Sequence, residues 1–192
     1  MRRGLIWVGC VLAVVAATGG LLVLATSGAA SFRQEGDRLI VSGQLTLMST
    51  ERIDTITEEN PGLRVLVLED IAEGSDPTAL MQKGALVRSL GMTTMVAPGV
   101  TLQGAEVFLF LGGVERLLGE GAAIEVSDWS SAAGPASMLP PDHPAHSERR
   151  VHVTEMLGRA DFYEFMIEAA PVDGAHRMTP GALAAFGVVT GL

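Results

Sequence analysis

The sequence predicts a mixed α/β domain with parallel strand pairing, carried behind an apolar N-terminal segment. Three observations lead there. Val65-Leu66-Val67-Leu68 is a continuous apolar run, as expected of a central strand buried on both faces. Shorter apolar runs alternate along the chain with stretches that open on helix-capping residues, and repeated β–α units of this kind pair their strands in parallel. Leu5 to Ala25 is nearly all apolar and follows Arg2 and Arg3.

At 1.5 Å per residue the run Leu5–Ala25 is long enough to cross a bilayer of roughly 30 Å. No polar face interrupts it, which argues against a buried core helix. A cleavable signal has a shorter apolar core, of about 7–15 residues, yet Ser27-Gly28-Ala29-Ala30 offers small residues suited to cleavage. The segment is therefore read either as an uncleaved transmembrane anchor or as a cleaved signal. Both readings keep the positive charge inside and send the rest of the chain outward. Cys10 lies too near the N-terminus, with Trp7 before it, for a lipoprotein signal. Residues 1–32 form this N-terminal unit, and residues 33–192 form one domain long enough to bury a sizeable core.

Within that domain Leu39–Leu47 alternates as a strand. Thr50 is placed to cap a helix running through Glu58, which Asn60-Pro61-Gly62 ends. After the strand at Val65–Leu68, Ser75 or Asp76 opens a helix with Pro77 at an early position, running to Leu90 and stopped by Gly91. Thr93–Ala97 is a short strand, and Leu102–Leu111 is apolar and helical in length. Leu117–Leu118 and Ala123–Val126 are later strands. Residues 130–147 form a loop dense in Gly, Pro and Ser. Glu148–Glu168 is a helix candidate, and Thr179-Pro180 starts a last helix through Phe186.

The net charge is −9, and it is more acidic still beyond Arg2 and Arg3. That balance excludes nucleic acid as a partner and disfavours anionic lipid heads. The single cysteine lies in the apolar segment, so the rest of the chain has neither a disulfide nor a cysteine metal site. No cofactor motif is present. The Gly112-Gly113 pair lacks the strand–glycine–helix order and the lysine of a phosphate loop.

From Leu39 to Leu192 the chain resembles the Clp protease/crotonase superfamily, and within it a group of small exported bacterial Clp-protease-like proteins. The residues that carry the resemblance are VLVLEDIAEGSDPTALMQKGALVRSLGMTTMV, LQGAEVFLFLGGVER and AAIEVSDW, with Phe110-Leu111-Gly112-Gly113 and Arg116 at their centre. The tail GRADFYEFMIEAAPVDGAHRMTPGALAAFGVVTG is similar to that family's C-terminal helices. The resemblance implies repeated β-β-α units. It also implies a site built from an N-S-P-G-G turn, a serine nucleophile on a helix between two cysteines, and a histidine in an I-G-V-H-S strand.

Registered on Gly113 and Arg116, the nucleophile position falls on Gly104, its flanking positions on Leu102 and Glu106, and the base position on Ser127. The turn becomes Glu69-Asp70-Ile71-Ala72-Glu73, with Ala72 and Glu73 where the family has two glycines. Indeed there is no serine between Ser89 and Ser127 and no histidine between Val96 and Asp142. Such a peptidase needs a nucleophile, a base that takes its proton and backbone N–H groups that receive the oxyanion. Gly104 has nothing to attack with, Ser127 is no base near neutral pH, and side chains at 72 and 73 hinder close backbone approach. Carboxylates at Glu73 and Glu106 would repel a developing oxyanion. No catalytic residue is assigned.

The expectation is thus an inactive, membrane-anchored domain outside the bacterial cytoplasmic membrane, facing the periplasm, or free in the periplasm if cleaved, that binds or scaffolds an unidentified protein or peptide. A homo-oligomer belongs to what the resemblance implies. The alternative is a hydrolase with unusual residues, such as a water activated by Glu106 or Asp128. Glu69, Asp70, Glu73, Glu106 and Asp128 can be read as an anionic patch at the old cleft or as solvated charges. Asp128 and Ser127, adjacent on a strand, point to opposite faces. His143, His146 and Glu148 have metal-ligand types but sit in a Pro-rich loop without preset geometry, and no metal site is assigned. His152 and His176 have no partner visible in the sequence, and Met92, Met95 and Met156 suit the core.

Overall fold

A computed structural model describes residues 29–191 except Glu73. Ser31–Glu35 (β1) and Arg38–Gly43 (β2) pair antiparallel through a two-residue turn at Gly36-Asp37. Gly36 holds φ 60 there, the left-handed region such tight hairpins require. Leu47–Glu59 (α1) follows. Its cap is Thr46 rather than the expected Thr50: the Thr46 hydroxyl accepts from Ser49 N and Ser49 returns the bond to Thr46 N. Thr50 is buried in the first turn, where its hydroxyl donates to Leu47 O at 2.9 Å.

Val65–Ile71 (β3) lies at the middle of a five-stranded sheet, as its apolar run predicts. Leu66 and Leu68 point into the main core, while Val67 packs with Ile40 and Ala97 on the other face. Pro77–Ser89 (α2) is capped by Asp76, whose carboxylate accepts from Ala79 N at 3.0 Å. Thr93–Val96 (β4) then joins β3 in parallel. Thr101–Gln103 (β5), Glu106–Leu111 (α3), Arg116–Leu118 (β6) and Ala123–Val126 (β7) complete the central part. The first sheet runs β1-β2-β3-β4-β6 with every pair after the hairpin parallel. The sequence reading of Leu102–Leu111 as one helix is corrected here. Leu102 belongs to β5, and the chain turns at Gly104, φ 62, before α3 begins. An apolar run cannot reveal that break; a lone glycine can.

The 130–147 loop is more ordered than its composition suggests. It holds a small hairpin of Ser130–Ser131 (β8) with Gly134–Pro135 (β9) and two 3₁₀ turns, at Ala136–Met138 and Pro144–His146. The single helix expected over 148–168 is two, Ser147–Leu157 (α4) and Asp161–Ala169 (α5), broken where Gly158 takes φ 74. His176–Arg177 (β10) adds antiparallel to β7, giving a second sheet of order β10-β7-β5. Pro180–Ala185 (α6) is capped by Thr179, as expected.

The chain's end is clamped by Arg116. Its guanidinium donates to Val188 O, Gly113 O and Gly187 O, at 3.0, 2.7 and 2.8 Å. Burial, helped by repulsion from Arg88, pushes this group down to about 10, which leaves it charged at neutral pH. No helix among the described residues is long and apolar enough to cross a membrane, and the run Leu5–Ala25 lies outside the described residues.

Candidate functional site

The turn that leaves β3 is stitched to the segment that leaves β2. Ala72 N donates to Gly43 O at 3.1 Å, Asp76 N donates to Leu45 O at 2.8 Å, and Gln44 Nε2 donates to Gly74 O at 3.0 Å. Ser75, buried, accepts from Leu45 N and donates to Ala72 O. Both valences of its hydroxyl most used in proteins are thereby taken by backbone. Across from this turn, β5 ends at Gln103 and the chain passes through Gly104 and Ala105 into α3. A third segment, Val172–Ala175, arrives from between α5 and β10. The three enclose a cavity of about 660 Å³.

Gly104 is in the wall of this cavity, where the register places the nucleophile. A side chain there would be strained by the positive φ, and its Cβ would begin 3.6 Å from a carboxylate oxygen of Glu106. Glu106 itself is only 8% exposed and lines the same cavity. From the β3 turn Ile71, Gly74 and Ser75 line it, and Ala72 does not. Glu73 lies outside the described residues. Ser127 does not line the cavity; it follows β7, half-buried, beyond the pairing of Val126 with His176. The structure therefore brings together Gly104, Glu106 and the flanks of the β3 turn at Ile71, Gly74 and Ser75, and leaves Ala72 and Ser127 out of the lining.

The other candidate acids are spent elsewhere. Asp128 is 4% exposed and acts as a loop organiser: it accepts from Ser137 Oγ at 2.7 Å and from the N–H groups of Ser137 and Trp129. Glu69 pairs with Arg33, and Asp70 is exposed at the end of β3. Of the acids that could be read as a patch at the cleft, Glu106 lines the cavity, and it is joined there by Asp173, which left no signal in the sequence because it arrives from far downstream on an irregular segment.

The histidines have structural partners. His146 Nδ1 shares a 2.7 Å hydrogen bond with the Tyr163 hydroxyl, which also accepts from Trp129 Nε1. Arg149 stacks over the Trp129 ring at 4.0 Å. Burial pushes the Tyr163 phenol up. His143 Nδ1 accepts from Ala145 N and caps a 3₁₀ turn. His152 Nε2 donates to Phe108 O at 2.9 Å, and burial pushes its imidazole down. Among the described residues no group of three His, Cys, Asp or Glu could hold a metal ion.

No protein-family model matches the chain, and no curated protein matches it. Solved structures do. A membrane-bound stomatin-specific protease, determined with a substrate peptide, is similar at a TM-score of 0.54 and 20% identity over 78% of this chain and 71% of that one. An enoyl-CoA hydratase/isomerase from Marinobacter aquaeolei is similar at 0.52 and 13% identity, covering 83% and 68%. An enoyl-CoA hydratase from Mycobacterium avium subsp. paratuberculosis K-10 is similar at 0.52 and 15%, covering 88% and 72%. The chain therefore has a mixed α/β fold shared by Clp-protease-like and crotonase-like proteins.

Proposed function

We propose that the chain is a membrane-anchored extracytoplasmic domain that keeps a Clp-protease-like frame and works by binding or scaffolding, with no hydrolytic chemistry. The observation that carries this reading is Gly104, a residue without a side chain, in the cavity wall at the register position of the nucleophile. Three further facts support it. Among the described residues that line the cavity there is no histidine, lysine or cysteine to act as base or nucleophile. The Ser75 hydroxyl is committed to backbone groups. Ala72 N–H, in the turn where an oxyanion would be received, already donates to Gly43 O. The anchor is the run Leu5–Ala25, and the partner is a protein or peptide segment that fits the cavity.

A hydrolase that activates water with Glu106 is the competing reading, since Glu106 is the buried carboxylate at the cavity. Asp128 drops out of it, because its carboxylate is occupied by Ser137 and Trp129. The test is labelling by a fluorophosphonate followed by mass spectrometry, together with a peptide and ester hydrolysis assay. We expect no labelling and no turnover above background. Gly104→Ser alone should change nothing, because among the described residues no histidine or lysine lines the cavity to take the hydroxyl's proton. Stoichiometric labelling of the wild-type chain at one residue, such as Ser127 or Thr101, or turnover lost in Glu106→Gln, would overturn the reading.

A further inference from the structure

We propose that the edge of the first sheet where β2 and β3 end docks on the bilayer surface, with Leu47 and Met48 set among the lipid headgroups; this rests on the reading of Leu5–Ala25 as an anchor. β1 runs antiparallel to β2, so the start of β1 lies beside the end of β2. Ala29 continues that pairing and bridges to Gln44. Ala29 follows Ala25 by four residues, a span of at most about 14 Å even when fully extended. An anchor at Leu5–Ala25 therefore holds the domain by the edge where β2 and β3 end, and not by the opposite edge where they begin. The cavity lies at the anchored edge too: Gln44 Nε2 donates to Gly74 O, and Gly74 is in the cavity wall.

The side chains at this edge suit an uncharged interface. Helix α1 begins three residues after Gln44, with Leu47 49% and Met48 83% exposed. The buried stripe of α1 runs through Thr50, Ile53 and Thr57, and Leu47 extends that stripe past the end of the core. Met48 shares its face with Glu51 and Arg52, both exposed, so the described fold leaves it uncovered. Val172, in the cavity wall, adds a third exposed apolar side chain. Apolar groups at the point where a chain enters a membrane are removed from water by the headgroup–acyl boundary, which an apolar face enters by about 5–10 Å. Asp70 and Asp173, exposed at the same edge, disfavour anionic headgroups. The contact is therefore apolar and needs no anionic lipid.

The experiment uses the full chain carrying Cys10→Ser, reconstituted in phosphatidylcholine vesicles, with a nitrobenzoxadiazole label on a single cysteine at Glu51→Cys or Glu115→Cys. Glu51 is exposed on α1 one turn from Met48, and Glu115 is exposed at the opposite edge, just before β6. Phosphatidylcholine carrying a nitroxide near its headgroup should quench the label at position 51 and leave the label at position 115 bright. Leu47→Ser together with Met48→Ser should abolish that quenching while the chain still floats with the vesicles, because Leu5–Ala25 still holds it. The quenching should be the same at low and high salt. A chain that floats with the vesicles yet shows no quenching at position 51 would overturn the docking and leave the anchor standing. Equal quenching at both positions, or quenching untouched by the double variant, would also overturn it. Self-quenching between labels at position 51, in place of quenching by lipid, would assign the edge to a second copy and overturn it as well. A chain that does not float with the vesicles would overturn the anchored reading, and the docking with it.

Discussion

His152 shows how a residue with no partner in the sequence acquires one in the fold. Its Nε2–H donates to Phe108 O, which ties α4 to α3, and burial pushes its imidazole below the ordinary value. The sign of the consequence follows from proton counting. In the unfolded chain His152 takes up a proton below about pH 6.5, and in the folded chain only at lower pH. The unfolded state binds more protons in that window, so stability rises with pH there. The contribution is fully present above pH 6.5 and is lost as pH falls toward the folded value. Thermal melts from pH 7.5 to 5 should show a falling midpoint, and His152→Gln, which cannot titrate, should flatten the slope. An unchanged slope in that variant would show that other groups carry the pH dependence.

At the scale of elements, the Gly112-Gly113 pair that is no phosphate loop has a packing role. Helix α2 passes over the end of α3 with backbone against backbone. A Cβ on Gly112 would lie 2.2 Å from Gly84 O, and one on Gly113 would lie 2.3 Å from Thr94 Oγ1 and 2.7 Å from Thr94 N. A Cβ on Gly84 would lie 2.8 Å from Phe108 O. Helix propensity alone favours alanine at Gly84 by about 1 kcal/mol. The clash is with backbone, which cannot swing aside, and overpacking of this kind costs about 1–3 kcal/mol. Gly84→Ala and Gly112→Ala should therefore both destabilise, with Gly112→Ala the worse, in urea unfolding. A neutral or stabilising Gly112→Ala would mean that the two helices can separate without cost.

For the whole molecule, the first quantity to establish is its orientation. The proposed topology, drawn from Arg2 and Arg3 ahead of Leu5–Ala25, has the N-terminus inside and residues 33–192 outside. A phosphatase fused after Phe32 should be active outside the membrane; an inactive fusion, with a cytoplasmic reporter active in its place, would reject this topology.

The order of strands and helices was legible in the sequence because it depends on local periodicity and capping. Val65–Leu68 is central, Asp76 is the one of the two expected openers, Ser75 and Asp76, that caps α2, Thr179 caps α6 as expected, and Gly91 follows the end of α2. Gly104 lies in the cavity wall, and its reading as the nucleophile position rests on the resemblance registered on Gly113 and Arg116. Other features depended on contacts between distant residues. Thr46 displaced Thr50 as a cap through its reciprocal bonds with Ser49, and Asp128 left the cleft because Ser137, nine residues on, folds back to it. Ser127 lies off the cavity, just beyond the end of β7, whose last residues pair with β10, a two-residue strand too short to leave a periodic signal. Asp173 joins Glu106 in the cavity lining through the segment between α5 and β10. Sequence by itself determined the elements, since each is set by neighbours within a few turns. Tertiary structure alone decided which carboxylates share the cavity, since that is set by which chain segments meet.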